Sequence, residues 1–172
     1  MRVVLFRHGP AGQRDVERWP DDRLRPLSDR GEIRTHAAAS GLARLVGGAA
    51  RVYTSPLKRC AQTAQILVEA LASSEAPELL DALAPSGSSR DALRFLQDFH
   101  TDETVILVGH EPDLGKLAGV MVFGAPAPIA LKKAGACAVS FDGAPRPGQG
   151  SLLWFVPPRT LRALGRKKRS KV

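Results

Sequence analysis

The 172-residue sequence predicts an α/β fold: a three-layer α/β/α sandwich with a mostly parallel central sheet and an antiparallel edge from the C-terminal strands. Three observations predict it. Two short, continuously apolar runs, "VVLF" at Val3–Phe6 and "TVILVG" at Thr104–Gly109, have the character of strands covered on both faces. Helix-period segments separate these runs, so the strands join through right-handed crossovers. Towards the C-terminal end the period changes to two in "ACAVSFD", with Cys137, Val139 and Phe141 on one side, and "SLLWFV" follows after the loop "GAPRPGQG". That pattern is an antiparallel pair at one sheet edge.

A shorter strand is expected in "RVYTS" from Arg51. After "PLSDRGE", Ser28 can cap a helix whose apolar side includes Ile33, Ala37, Leu42 and Leu45, ending near Gly47 and Gly48. Following Pro56, the residues Leu57, Ala61, Ala64, Val68 and Leu71 recur at alternating steps of four and three, a second helical seam. "SSRDALRFLQDF" predicts a third helix with a serine cap and Ala92, Leu96 and Phe99 on one face. The Pro-rich "FGAPAPIALKK" is expected to be a surface loop. With no internal repeat and no linker, the chain reads as one domain over residues 1–164 followed by a basic tail, 165–172.

Composition narrows the class. Hydrophobic residues make up 44% and charged residues 24%, a globular composition rather than a disordered one. No apolar run approaches the roughly 20 residues of a membrane-spanning helix, so no membrane association is expected. The first residues enter a strand-like run with no basic-then-apolar leader before it, and the expected location is cytoplasmic. Cys60 and Cys137 are far apart with no C-x-x-C spacing, so neither a metal site nor a disulfide is expected of them. The net charge is +8, yet seven of the 25 basic residues follow Pro158 with no acid among them, and without them the charge is +1. A nucleic-acid partner is therefore not expected. The basic end reads as a solvated tail, or as a tether to a polyanion.

Ligands of an open parallel sheet bind beyond the carboxyl ends of its strands. The first strand ends in Arg7, His8 and Gly9, and the "TVILVG" strand continues into His110 and Glu111. One strand-end histidine is ordinarily structural, whereas two at equivalent ends, each beside a glycine and one beside an arginine, point to a site. Gly9 predicts a tight turn that aims the imidazole into a cleft. In "YTSPLKRCAQTA" a strand passes through Ser55-Pro56 into a helix whose first N–H groups attract anions, with Arg59 one turn in, off the apolar seam and able to reach the cleft. Two arginines, two histidines and a helix N-terminus suit a tetrahedral oxyanion, because the planar guanidinium matches phosphate oxygens and stays charged. The chemistry that follows is phosphoryl transfer, in which fixed cations meet charge spread over three equatorial oxygens. A neutral imidazole can attack phosphorus in line to give a phosphohistidine that water then hydrolyses. No metal ligands are left over, so no cofactor is expected.

Taken in order, "RHG", "RPLSDRG", "SPLKRCAQTA" and "VGHEPDL" resemble the histidine phosphatase superfamily, also called phosphoglycerate-mutase-like, and specifically its small SixA-type phosphohistidine phosphatase branch, over roughly residues 1–160. The resemblance implies that His8 is the nucleophile, that Arg7 and Arg59 clamp the phosphoryl group, and that His110 hydrogen-bonds its oxygens and stabilises the transition state. Arg25, in "RPLSDRG", is either a further substrate-binding residue or a loop-packing one. Glu111 is expected on the substrate side, where it or Asp22 can supply a proton. Larger members usually carry a longer insertion between the Arg59-type helix and the second histidine, with a glutamate as general acid. Here the region is only "SSEAPELLDALAPSGSSRD", and "DALAPSG" has no glutamate. A missing acid fits a phosphohistidine substrate, whose imidazole leaves readily once protonated, and a short cap leaves a cleft that a protein side chain can enter. The expected partner is thus a phosphohistidine-bearing protein. The alternatives are a small phosphorylated substrate, cleaved by a phosphomonoesterase or nucleotide phosphatase with the same site, and an inactive phosphate-binding module, which the intact quartet opposes.

Overall fold

Val3 to Phe6 and Val105 to Val108 have no exposed surface, because each strand lies between two layers of helices. The computed structural model describes residues 1–127 and 129–166. Among these, the strands β1 (Arg2–Arg7), β2 (Arg51–Thr54), β3 (Glu78–Leu79), β4 (Thr104–Gly109), β5 (Ala136–Ser140) and β6 (Ser151–Val156) form one sheet in the order β3-β2-β4-β1-β5-β6. The β2–β3, β2–β4 and β1–β4 pairs are parallel, whereas β1–β5 and β5–β6 are antiparallel. The expected sandwich with an antiparallel C-terminal edge is the observed fold.

The helices are α1 (Asp29–Val46), α2 (Lys58–Leu71), α3 (Ser89–Leu96), α4 (Asp113–Phe123) and α5 (Pro158–Gly165). Strand alternation divides the core in two. Val4 and Phe6 pack with residues of α1, α2 and α5, while Val3 and Leu5 pack with residues of α3 and α4. No helix among the described residues is long and apolar enough to cross a membrane.

Helix α1 begins where its sequence signal places it, with the Ser28 hydroxyl accepting from Gly31 N–H, and it ends at Gly47 in the left-handed conformation. Its buried face differs from the one expected. Ile33 is 71% exposed, and the core side is carried by the small residues Thr35, Ala38 and Ala39 with Leu42 and Val46. Small residues are needed because α5 crosses at close range: a Cβ on Gly41 would lie 1.9 Å from the Leu161 carbonyl oxygen. The sequence reading did not anticipate α5, in which Arg159 and Arg162 stand with the fully buried Leu161. The tail expected over 165–172 therefore begins inside a helix at Gly165, and residues 167–172 lie outside those described. The described residues of "FGAPAPIALKK" are mostly exposed, as a surface loop requires, while Leu131, 1% exposed, anchors the segment in the core.

Candidate active site

The register of the parallel strands places the chemistry. Arg7 pairs with Gly109, and Thr54 with Val108, so the three chains leave the sheet side by side as His8, His110 and Ser55. His8 N–H donates to the Gly109 carbonyl at 3.1 Å and Ser55 N–H to that of Val108 at 2.9 Å, extending the ladder to the site. The two imidazoles stand 5.1 Å apart. Gly9 is required for a reason other than turn geometry: a Cβ there would meet Thr35 Oγ1 at 2.0 Å, so it lets the chain pass tightly over α1. Its N–H donates to Thr63 Oγ1 at 3.0 Å, fastening this turn to α2.

The tautomer of His8 follows from its partner. Nδ1 lies 2.7 Å from the Gly9 carbonyl, which can only accept, so Nδ1 carries the hydrogen and the lone pair is on Nε2. Burial pushes the pKa down to about 3, helped by the neighbouring His110, Arg59 and Arg7. The ring is therefore neutral and nucleophilic across the physiological range. His110 is lowered to about 4, chiefly by burial and then by Arg59. Its Nε2 is 2.9 Å from Ser55 Oγ, which also accepts Leu57 N–H at 3.4 Å. Its Nδ1 is 3.5 Å from Arg59 Nη2, a nitrogen that can only donate. Cys60 Sγ is 3.4 Å from His110 Nε2, but burial raises the thiol to about 12, and it stays protonated.

Arg59 was expected off the apolar seam, free to reach the cleft. It lines the cleft yet is 5% exposed, lodged by Nη1 donating to the Asp22 carbonyl at 2.9 Å and by an ion pair with its carboxylate at 3.2 Å. Arg7 is held by Nη1 donating to the Leu131 carbonyl at 2.8 Å. In both arginines the buried Nε has no hydrogen-bond partner among the described residues. Two fixed cations with unpaired buried donors describe a place for an anion. Arg25 also lines the cleft, and it packs the preceding loop too, with Nε on Asp22 at 2.7 Å and Nη1 on the Gly12 carbonyl at 2.7 Å. Of the two alternatives left open for it in the sequence, the loop-packing contacts are present, and the side chain also borders the cleft.

The two candidate proton donors differ. The hydrogen bond from Arg25 holds the Asp22 carboxyl below its usual range, so it stays ionised. Burial raises that of Glu111, whose Oε1 accepts Leu131 N–H at 3.0 Å. Glu111 and Arg7 thereby grip opposite polar atoms of one residue, Leu131, and α4 accepts this loop through Gly115, where a Cβ would lie 2.5 Å from the Ile129 carbonyl oxygen. Ser55, Arg14, Lys116 and Lys133 went unread in the sequence; the last three line the cleft, whose volume is about 540 Å³. Ser55 precedes a proline at a helix start, so its hydroxyl looked like an ordinary turn group. Lys133 is only two residues from Leu131, and nothing local signals that its loop returns to the site. Among the described residues no group of three or more His, Cys, Asp or Glu side chains is placed to hold a metal ion.

Comparison with known proteins bears on this geometry. The family model of the histidine phosphatase superfamily (branch 1) matches residues 3–84. An uncharacterised protein of Picosynechococcus sp. is 39% identical over 138 residues, 78% of this chain and 82% of that protein. The structure of the protein histidine phosphatase SixA complexed with tungstate superposes with a TM-score of 0.81 at 26% identity, over 94% of this chain and 99% of that one. A structure assigned to SixA of Agrobacterium tumefaciens gives 0.72 at 23% identity, over 91% and 97% of the two chains.

Proposed function

Because the chain belongs to the histidine phosphatase superfamily, in its SixA-type branch, we propose that it is a metal-independent phosphatase working through a phosphohistidine intermediate, with protein phosphohistidine as preferred substrate. The observation that carries this reading is the buried, neutral His8 with Nε2 unprotonated between two arginines that each keep a free buried donor. Nε2 attacks phosphorus in line; the Nε2–P bond forms as the P–N bond to the substrate imidazole breaks, its electron pair stays on that nitrogen, and a substrate ring already protonated at its other nitrogen departs as neutral imidazole. Water then attacks the phosphohistidine, releasing phosphate and returning His8. Arg7, Arg59 and His110 hold the three equatorial oxygens, where fixed donors count most. The likeness to a SixA bound to tungstate, a tetrahedral oxyanion, supports a clamp for such a group.

Phosphate release from a phosphohistidine peptide, a phosphoserine peptide and a sugar phosphate, with and without EDTA, tests this reading. Wild type is expected to act on the first, with no effect of the chelator. His8→Ala should abolish turnover, and Arg59→Ala should lower it on the order of 10²-fold or more, the scale of one preorganised transition-state contact. Turnover confined to the sugar phosphate would replace phosphohistidine with a small phosphomonoester as substrate, and EDTA sensitivity would overturn metal independence.

A further inference from the structure

Among the described residues six cations line the cleft, Arg7, Arg14, Arg25, Arg59, Lys116 and Lys133, against three carboxylates. All three carboxylates are engaged. Asp22 bridges Arg25 and Arg59, Glu111 accepts Leu131 N–H, and Asp113 accepts Ser86 N–H at 3.0 Å with Lys116 at 3.8 Å. Arg7 and Arg59 are assigned to the phosphoryl group. Lys133 has no carboxylate within 4 Å among the described residues, and its pKa is lowered first by partial burial and then by the neighbouring Arg7, Arg25 and Arg59. Arg25 is immobilised through Nε and Nη1 with its side chain 13% exposed, and its Nη2 has no protein partner among the described residues. Arg14 joins the same wall beside Asp22. An excess of cations over carboxylates, some of the cations fixed, is unfavourable in an empty cleft and becomes favourable when an anion enters it. The cleft, about 540 Å³, has the capacity of a whole ligand and greatly exceeds one phosphoryl group.

We propose that Arg25 and Lys133, with Arg14 at the rim, form a second anion subsite that receives a carboxylate or second phosphate carried by the substrate beside the transferred phosphoryl group. The inference rests on Arg7 and Arg59 being the phosphoryl clamp. For a protein substrate, the second group is an acidic side chain near the phosphohistidine; for a small one, it is a carboxylate or phosphate of the same molecule.

Calorimetric titration of the full chain with non-hydrolysable ligands separates the two sites. Methylphosphonate offers one anionic group; phosphonoacetate, 3-phosphonopropionate and 4-phosphonobutyrate add a carboxylate at increasing reach, and methylenebisphosphonate adds a phosphonate. At least one two-anion ligand is expected to bind tenfold or more tighter than methylphosphonate. Lys133→Met should reduce that ratio to twofold or less, whereas Lys132→Met, which removes the same charge from the same loop, should preserve it. A wild-type ratio within twofold for every ligand, or a ratio equally reduced by both lysine variants, overturns the subsite. Arg59→Ala should abolish methylphosphonate binding; if it does not, the clamp reading falls instead. The readout is equilibrium binding, so it is independent of whether phosphohistidine is the substrate turned over.

Discussion

His8 needs no general base, because its Nδ1 hydrogen is committed to a backbone carbonyl and burial keeps the ring neutral. Glu111 poses the sharper question, since a half-buried carboxyl with a raised pKa has the makings of an acid, yet its Oε1 is engaged by Leu131 N–H while Arg7 takes the Leu131 carbonyl. The hydrogen-bond arrangement favours a positioning role: Glu111 fixes the loop that fixes Arg7. The two roles separate in Glu111→Gln, which keeps an acceptor oxygen and loses the acid. Glu111→Ala is expected to raise KM and lower kcat, together costing about 10-fold or more in kcat/KM, the scale of one hydrogen bond at a charged group. Glu111→Gln should recover most of that loss with an unchanged pH profile. A glutamine variant as impaired as alanine would instead identify a proton donor.

At the scale of elements, the loop residues 129–134 and helix α5 show how much of the architecture depends on close backbone approach. Gly115 admits the loop against α4, and Gly41 admits α5 against α1. Leu161 is the apolar anchor of α5, with no exposed surface and a place in the core cluster of α1 and α2. Its truncation leaves a cavity between helices rather than a change in the cleft. Leu161→Ala is therefore expected to destabilise the fold by about 2–5 kcal/mol in urea unfolding, while kcat/KM per folded molecule stays within about twofold. A large loss of activity at full stability would mean that α5 reaches the site.

For the whole molecule, two buried neutral histidines couple stability to pH. The folded values of about 3 and about 4 lie below the ordinary 6.5, so between pH 6.5 and about 4 the unfolded chain binds more protons than the folded one. Stability is complete above pH 6.5 and declines as pH falls through this window, by on the order of 2 kcal/mol per histidine at pH 4.5. Thermal midpoints measured from pH 7 to 4.5 in phosphate-free buffer should fall accordingly. The double variant His8→Gln, His110→Gln should flatten the dependence, and an equally steep fall in that variant would place the acid sensitivity elsewhere.

The sequence by itself determined the layers, the parallel core strands, the Ser28 cap and that Arg7, His8, Arg59 and His110 gather at one end of the sheet, because strand periodicity and the polar residues that interrupt it are local properties of the chain. Tertiary structure decided the rest. Which face of α1 is buried depends on α5, more than 110 residues away in sequence. The hydrogen bond of Ser55 to His110 and the return of Leu131 and Lys133 to the cleft depend on strand register and loop packing. These join residues distant in sequence through backbone contacts that leave no periodic signature, and the balance of charge in the cleft exists only once they are joined.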